Sequence, residues 1–374
     1  MRFKTFGCLA LALAATLAMS CARAKDGWPA WNDYATRFVQ ADGRVVDLTF
    51  EQKSTSEGQS YGMFFALVAN DRPRFDAILK WTSDNLAGGR LGEKLPAWHW
   101  GVDEHGKWGV RDPNPASDAD LFIAYDLLEA ARLWHEPRYA ETGRKLLAQV
   151  VAREVVEAGA TGTLLLPGPE GFVLENGRFR VDPSYLPGFQ LHYFAQVDPK
   201  GPWQKIWDSY MRLAPQIFAA GVAPDLFVVD SAGKVHPDTD RERGGAYDAI
   251  RVYAWAAMSP RDGPALLKLL RPFAELIRAR GAPPERLDPI TGKPAPGDYS
   301  PVGFSGAVLP YLRALGEEKL LEKQREHIRW ARLKNKVRSN SNYYDDSLVL
   351  FGEGWLEGWY RFDDNGRLVL KWAG

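Results

Sequence analysis

The chain has 374 residues, 45% of them apolar, enough to bury a sizeable core in one large domain or two small ones. Its 47 basic and 47 acidic residues cancel, which argues against a nucleic-acid or acidic-membrane partner. Both cysteines, Cys8 and Cys21, fall in the first 24 residues. A chain trimmed there has no thiol and no disulfide and must be held by packing alone.

Those first residues predict an export signal. Arg2 and Lys4 give a positive start, Leu9–Leu17 is an apolar run too short to span a bilayer, and Ala22-Arg23-Ala24 fits cleavage after about Ala24. A lipoprotein signal on Cys21 is the rival reading, and Met19 and Ser20 fit it poorly. No later segment is apolar enough for stable membrane insertion. With no low-complexity linker, composition break or sequence repeat, residues 25–374 read as one domain.

Helical periodicity then dominates. It predicts helices over Trp28–Val39, Glu57–Asn70, Arg74–Leu86, Ala119–Trp134 and Glu136–Val155, one near Tyr185–Phe194, then Trp203–Ala219, Tyr247–Met258, Pro264–Ala279, Pro301–Leu315, Glu317–Leu333 and Tyr344–Trp355. Tyr61, Phe64, Phe65 and Val68 recur at helix spacing. The helix at Ala119–Trp134 is apolar on two faces and so should pack on both sides. Strand-like pieces interrupt the pattern. Ala97–Trp100 and Lys107–Val110 flank a turn at Asp103–Gly106, while Thr163–Leu166, Gly171–Leu174, Arg178–Val181 and Leu368–Trp372 lie beside Gly and Asn turn signals. About twelve helices suit a ring of helical hairpins or an irregular all-α fold.

Three carboxylates stand out because each follows a Gly-, Ser- or Pro-rich loop and opens a helix: Glu57, Asp118 and Asp248. Side-by-side helices would bring them to one rim. A plainer reading competes. Ser54 with Glu57, Ser56 with Gln59 and Ser117 with Asp120 have capping-box spacing, and Asp248 with Arg251 has that of a surface ion pair. A helix start also favours a charged carboxylate, whereas a general acid must hold its proton near neutrality. Glu57 fits that task only if burial or a like charge such as Asp118 outweighs the dipole. Asp248 faces no such conflict, since Arg251 lies one turn on.

The 14 Trp, 14 Tyr and 18 Phe include several in polar, turn-like contexts, among them Trp98, Trp100, Trp108, Tyr185, Tyr247, Tyr343 and Tyr344. Flat C–H faces of sugars stack on such rings, and carboxylates bind hydroxyls. Trp98 and Trp100, alternating in the predicted hairpin, suit a glycan groove or the core equally. The six histidines are scattered without zinc spacing, and nucleotide, dinucleotide and Gly-x-Ser-x-Gly signatures are missing.

Long ordered motifs, Thr55-Ser56-Glu57-Gly58-Gln59-Ser60-Tyr61-Gly62, Ala116-Ser117-Asp118-Ala119-Asp120 and Tyr247-Asp248-Ala249-Ile250-Arg251-Val252-Tyr253, resemble family-eight glycoside hydrolases. The nearest likeness is to the periplasmic endoglucanase of bacterial cellulose synthesis. The resemblance implies an all-α (α/α)6 barrel of six inner and six outer helices with short β-hairpin insertions. It implies an inverting endo-β-1,4-glucanase with Glu57 as acid, Asp248 as base, and Asp118, Tyr185, Tyr247, Arg251, Trp98 and Trp100 binding a β-1,4-glucan chain. Neither metal nor organic cofactor is required. Asp120 is assigned to helix capping, and Asp126 stands where the family has a small residue. The expected location is periplasmic or secreted, with the cellulose synthase export machinery as a further partner. Chitosan, mixed-linkage glucan or xylan are the alternative substrates, and a non-catalytic glucan-binding component of cellulose export is the alternative outside enzymes.

Overall fold

The computed structural model describes residues 27–238, 244–297, 299–338 and 342–373. The expected export signal and both cysteines lie outside them. Thirteen α-helices occur among the described residues: α1 Pro29–Phe38, α2 Ser56–Val68, α3 Arg72–Leu86, α4 Ser117–Trp134, α5 Pro137–Arg153, α6 Gly188–Val197, α7 Trp203–Ile217, α8 Ala249–Met258, α9 Gly263–Leu270, α10 Pro272–Arg280, α11 Val302–Ala314, α12 Glu318–Arg338 and α13 Tyr343–Leu356. Eleven short strands accompany them: β1 Ser54–Thr55, β2 His99–Val102, β3 Trp108–Asp112, β4 Val155–Glu157, β5 Thr163–Leu165, β6 Val173–Leu174, β7 Arg178–Val181, β8 Phe227–Asp230, β9 Val235–Pro237, β10 Tyr360–Phe362 and β11 Leu368–Leu370.

Two kinds of helix alternate along the chain. In α2 every residue except Glu57 is buried, and in α4 the run Ser117–Ala130 is buried without a break. The middle of α6, α8, α11 and α13 is closed off in the same way. Helices α1, α3, α5 and α7 instead bury one stripe, for example Phe75, Ile78, Thr82 and Leu86 of α3. The enclosed helices touch one another: α2 meets α4, α4 meets α6, α6 meets α8, α8 meets α11, α11 meets α13, and α13 returns to α2. Aromatic rings fill the space between them. Phe65 lies 4.6 Å from Phe351, Trp255 lies 5.7 Å from Phe122, and Phe362 of β10 stacks on Phe189 at 3.8 Å.

The predicted Pro264–Ala279 helix is two helices. Pro272 has no N–H to donate, so α9 stops and α10 begins with proline in its first turn. The predicted Glu136–Val155 helix ends at Arg153, and Val155 pairs with Leu165 in an antiparallel ladder. The pieces at 173–174 and 178–181 are half of a four-stranded sheet, β6-β7-β8-β9, because Phe227–Asp230 and Val235–Pro237 also pair there. The β content thus exceeds the hairpins expected.

Two glycines let α11 and α13 meet backbone to backbone. A Cβ on Gly306 would sit 2.4 Å from the Cα of Val349, and one on Gly352 would sit 2.0 Å from the Gly306 carbonyl oxygen. Neither neighbour is a side chain that can swing aside. Gly352→Ala should therefore lower stability by about 1–3 kcal/mol, read from chemical denaturation. An unchanged midpoint would show that the two helices separate without cost.

Candidate active site

The starts of α2, α4, α8 and α13 border one cavity of about 420 Å³. Glu57 enters from the second position of α2, Asp118 from the second position of α4, and Asp248 from the residue before α8. Tyr185 precedes α6, and Tyr343 opens α13. All five line the cavity, with Trp98 and Tyr247 beside them. A larger cleft of about 760 Å³ shares Gly244 and Arg286 with it, but is walled chiefly by apolar residues such as Ile217, Leu226, Phe227 and Leu287.

Arg251 stands behind the carboxylates with 1% of its surface exposed. Its Nη1 donates to Glu57 Oε2 at 2.6 Å, to Tyr61 Oη at 2.9 Å and to Asp118 Oδ2 at 3.0 Å. Its Nη2 donates to Asp248 Oδ1 at 2.9 Å and to Ser184 Oγ at 3.0 Å. Ser184 Oγ in turn donates a hydrogen bond to Asp182 Oδ1 at 2.7 Å. The guanidinium also lies 5.4 Å from the centre of the Tyr185 ring. One cation therefore joins all three helix-opening carboxylates, which is more than the pairing with Asp248 that sequence spacing suggested.

Burial settles the conflict between helix dipole and proton retention. It pushes the Glu57 carboxyl up to about 7, against the pull of Arg251, with Asp118 and Asp248 adding repulsion. Yet Glu57 keeps 21% of its side chain open, on the cavity side. Its Oε1 accepts from Tyr343 Oη at 3.3 Å. Asp118 is pushed up to about 6, again chiefly by burial, while its Oδ1 accepts from the Ala119 N–H at 2.7 Å. Asp248 keeps 28% of its side chain exposed.

The capping-box pairings are not formed. The N-cap of α2 is Thr55, whose Oγ1 accepts from the Gly58 N–H at 3.0 Å. Ser54 Oγ donates to the Val45 carbonyl, and Gln59 Oε1 accepts from the Val45 N–H. Asp120 does not cap α4. It is fully buried near Glu154, and burial, followed by repulsion from Glu154, drives its carboxyl strongly upward. Burial lifts Glu154 to about 8. Asp126, the other departure, is buried with neither oxygen hydrogen-bonded among the described residues, and burial raises it strongly.

The paired tryptophans separate. Trp98 lines the cavity; Trp100 does not. Trp100 stands edge-on to buried Trp81 at 5.3 Å and stacks on Trp108 at 4.9 Å. Tyr247 lines the cavity with its hydroxyl bound to Glu285 at 2.6 Å, and its carbonyl accepts from Tyr344 Oη.

Sequence reasoning missed Asp225. This buried carboxylate lines the cavity, and its Oδ1 alone accepts from the N–H groups of Ala246, Asp248 and Ala249 at 2.8–3.0 Å. It caps α8 from another part of the chain, which leaves the Asp248 carboxylate free of that duty. Burial, with repulsion from Asp248, raises it to about 6. Ala-Pro-Asp at 223–225 carries no periodic or capping signal toward a helix more than twenty residues on. Tyr343 was visible only as one ring among several.

The model of the glycosyl hydrolases family 8 matches residues 1–358. An endoglucanase of Xanthomonas axonopodis pv. citri is 45% identical over 350 residues, covering 92% of this chain and 89% of that protein. An endoglucanase of Escherichia coli K12 is 40% identical over 350 residues, covering 92% of each. The crystal structure of an endo-1,4-D-glucanase from Vibrio fischeri superposes with a TM-score of 0.86 at 38% identity, covering 93% of this chain and all of the other. The chain belongs to glycosyl hydrolase family 8.

Removing the shared cation should be costly. Arg251→Met removes the counter-charge shared by three crowded carboxylates, a loss on the order of 3–5 kcal/mol. Arg251 pulls the raised Glu57 and Asp118 carboxyls down, so without it both rise further, and the deficit should grow with pH above the ordinary carboxylate range and shrink on acidification. Denaturation of both proteins across that range checks the sign. A deficit independent of pH would mean that packing, not charge, was lost.

Proposed function

We propose that the chain is an endo-β-1,4-glucanase that cleaves internal glucosidic bonds with inversion, Glu57 being the acid and Asp248 the base. The observation that carries this reading is the pair itself. Both carboxyls open into one cavity and are held by different nitrogens of the same guanidinium, and burial raises that of Glu57 to about 7.

In the proposed reaction, the Glu57 proton passes to the glycosidic oxygen as the bond from C1 to that oxygen breaks. A water attacks C1 from the opposite face, and Asp248 takes its proton. The products are a free hydroxyl on the leaving chain and an inverted hemiacetal; the proton returns from Asp248 to Glu57 through solvent. Room for that water requires carboxyl groups roughly 6.5–9.5 Å apart. Asp118, Tyr185 and Tyr247 are proposed to grip the sugar whose bond is cut, and Trp98 to carry a neighbour. Arg251 acts as a positioning residue for all three carboxylates.

The cyclic contacts of α2, α4, α6, α8, α11 and α13, with flanking helices between them in sequence, support an (α/α)6 barrel in which α9 and α10 together form one outer element. Residues 25–374 are proposed to form a single catalytic domain behind a cleaved signal, acting in the periplasm or outside the cell. No helix among the described residues is long and apolar enough to cross a membrane. A part in cellulose production, beside the export machinery, is proposed from the family likeness.

Glu57→Gln and Asp248→Asn should each lower reducing-end release from carboxymethylcellulose by two or more orders of magnitude with melting temperatures little changed. Wild-type turnover in both variants would remove the assignment. Proton NMR of fresh products should show the α-anomer first; an early β-product would contradict inversion.

Activity should also fall as pH rises through about 7, because the acid must be protonated and burial holds Glu57 near that value. The descending limb of kcat/KM against pH measures it. A limb beginning near the ordinary glutamate value would show that Glu57 is not the group titrating.

A further inference from the structure

We propose that Trp108 forms an outer subsite for a β-1,4-linked glucosyl unit, away from the bond that is cut. The inference rests on the glucanase reading above. Trp108 leaves 41% of its surface exposed, yet its ring is not loose. It stacks on Trp100 at 4.9 Å and 21°, and Trp100 abuts buried Trp81. The Arg44 guanidinium lies 4.6 Å from the Trp108 ring and 4.3 Å from that of Trp100. Arg44 is itself buried and fixed, its Nε donating to Ser54 Oγ at 2.8 Å and its Nη2 to the Gln52 carbonyl. A platform ordered in advance spends little freedom when a ligand arrives.

The ring borders an open cleft of about 490 Å³ that Glu51 and Gln52 also line. Both hold left-handed backbone conformations, φ 50° and 52°. Two such neighbours without glycine are strained and persist only where surroundings fix them; here Arg44 does so through the Gln52 carbonyl. The cleft therefore offers a flat aromatic face beside a carboxylate and an amide, the combination that meets a pyranose ring by its C–H face and its hydroxyls.

Its position follows the sheet. Lys53 and Trp98 line the catalytic cavity, while Gln52, next to Lys53, and Val102, at the far end of β2, line the outer cleft. Travel along the chain from Trp98 to Val102 is roughly 13 Å, and Val102 pairs with Trp108 across the ladder. A glucan lying along β2 would reach Trp108 some units beyond the cleavage point, so only longer chains would use it.

The test compares chain lengths in the Glu57→Gln protein, where binding is read without turnover. By calorimetry, Trp108→Ala should weaken cellohexaose about tenfold, one ring contact's worth, and leave cellotetraose unchanged. In the active enzyme the same substitution should lower kcat/KM on cellohexaose alone. If Trp108→Ala lowers the melting temperature, Trp108→Phe keeps a ring on Trp100 and should show a smaller loss, still confined to the longer chain. Equal losses at both lengths, or none at either, would overturn the subsite. Failure of the wild type to hydrolyse either oligosaccharide would defeat the activity reading, while the binding comparison would still decide for or against the subsite.

Discussion

The structure turns on a single buried cation. Arg251 reaches Asp248, Asp118 and Glu57, which stand at the starts of three different helices and lie up to 194 residues from it in sequence. Taking a guanidinium and several carboxylates out of water is expensive, and the cost is met only when nearly every donor finds an acceptor. Four of its N–H contacts run to carboxylates or to Tyr61, and a fifth runs to Ser184, which is anchored by Asp182. Only Nε lacks a partner among the described residues. Arg251 therefore fixes where the helix starts must converge. The aromatic packing beneath them, Phe64, Phe122 and Phe351 among it, provides the rigid floor that makes convergence possible.

Convergence of helix starts creates a second demand. Each start exposes N–H groups that want an acceptor, and acidic residues nearby are the natural ones. The protein assigns that work elsewhere. Thr55 caps α2, and Asp225 caps α8 from a different segment. Asp118 is the exception, since its Oδ1 takes the N–H of Ala119. Glu57 and Asp248, the two residues with a fifth or more of their side chains open to the cavity, are the two relieved of capping. Separation of capping from chemistry is visible only once distant segments are brought together.

That division also marks what a sequence can convey here. Helices were legible because their apolar residues recur at helix spacing, and the enclosed ones because they are apolar on more than one face. The break at Pro272 and the strand at Val155 were harder: both sit in runs whose local pattern continues a helix. Of the site, the carboxylates were legible as helix openers and motif members. Their partners were not. Glu154 against Asp120, Asp225 beneath Asp248 and Tyr343 beside Glu57 are contacts of high sequence separation with no periodic trace. Trp98 and Trp100 alternate in sequence, so no local rule could say which would face the cavity.

Proton retention at Glu57 is the least local property of all. Repulsion from a neighbouring carboxylate is the main cause in paired acids that share a proton. Here burial leads, and repulsion from Asp118 and Asp248 adds to it. The same cause raises Asp118, Asp182, Asp225 and the Asp120–Glu154 pair, none of which is adjacent to Glu57 in sequence. Enclosed helix starts therefore form a region in which burial raises several carboxyls, and Arg251 supplies a counter-charge that pulls Glu57 and Asp118 back down. A polymer entering the cavity would displace water from its open side and strengthen the effect of burial. On the proposed reading the proton donor is selected by access: of the carboxyls lifted by burial around Arg251, Glu57 is the one that keeps a fifth of its side chain open.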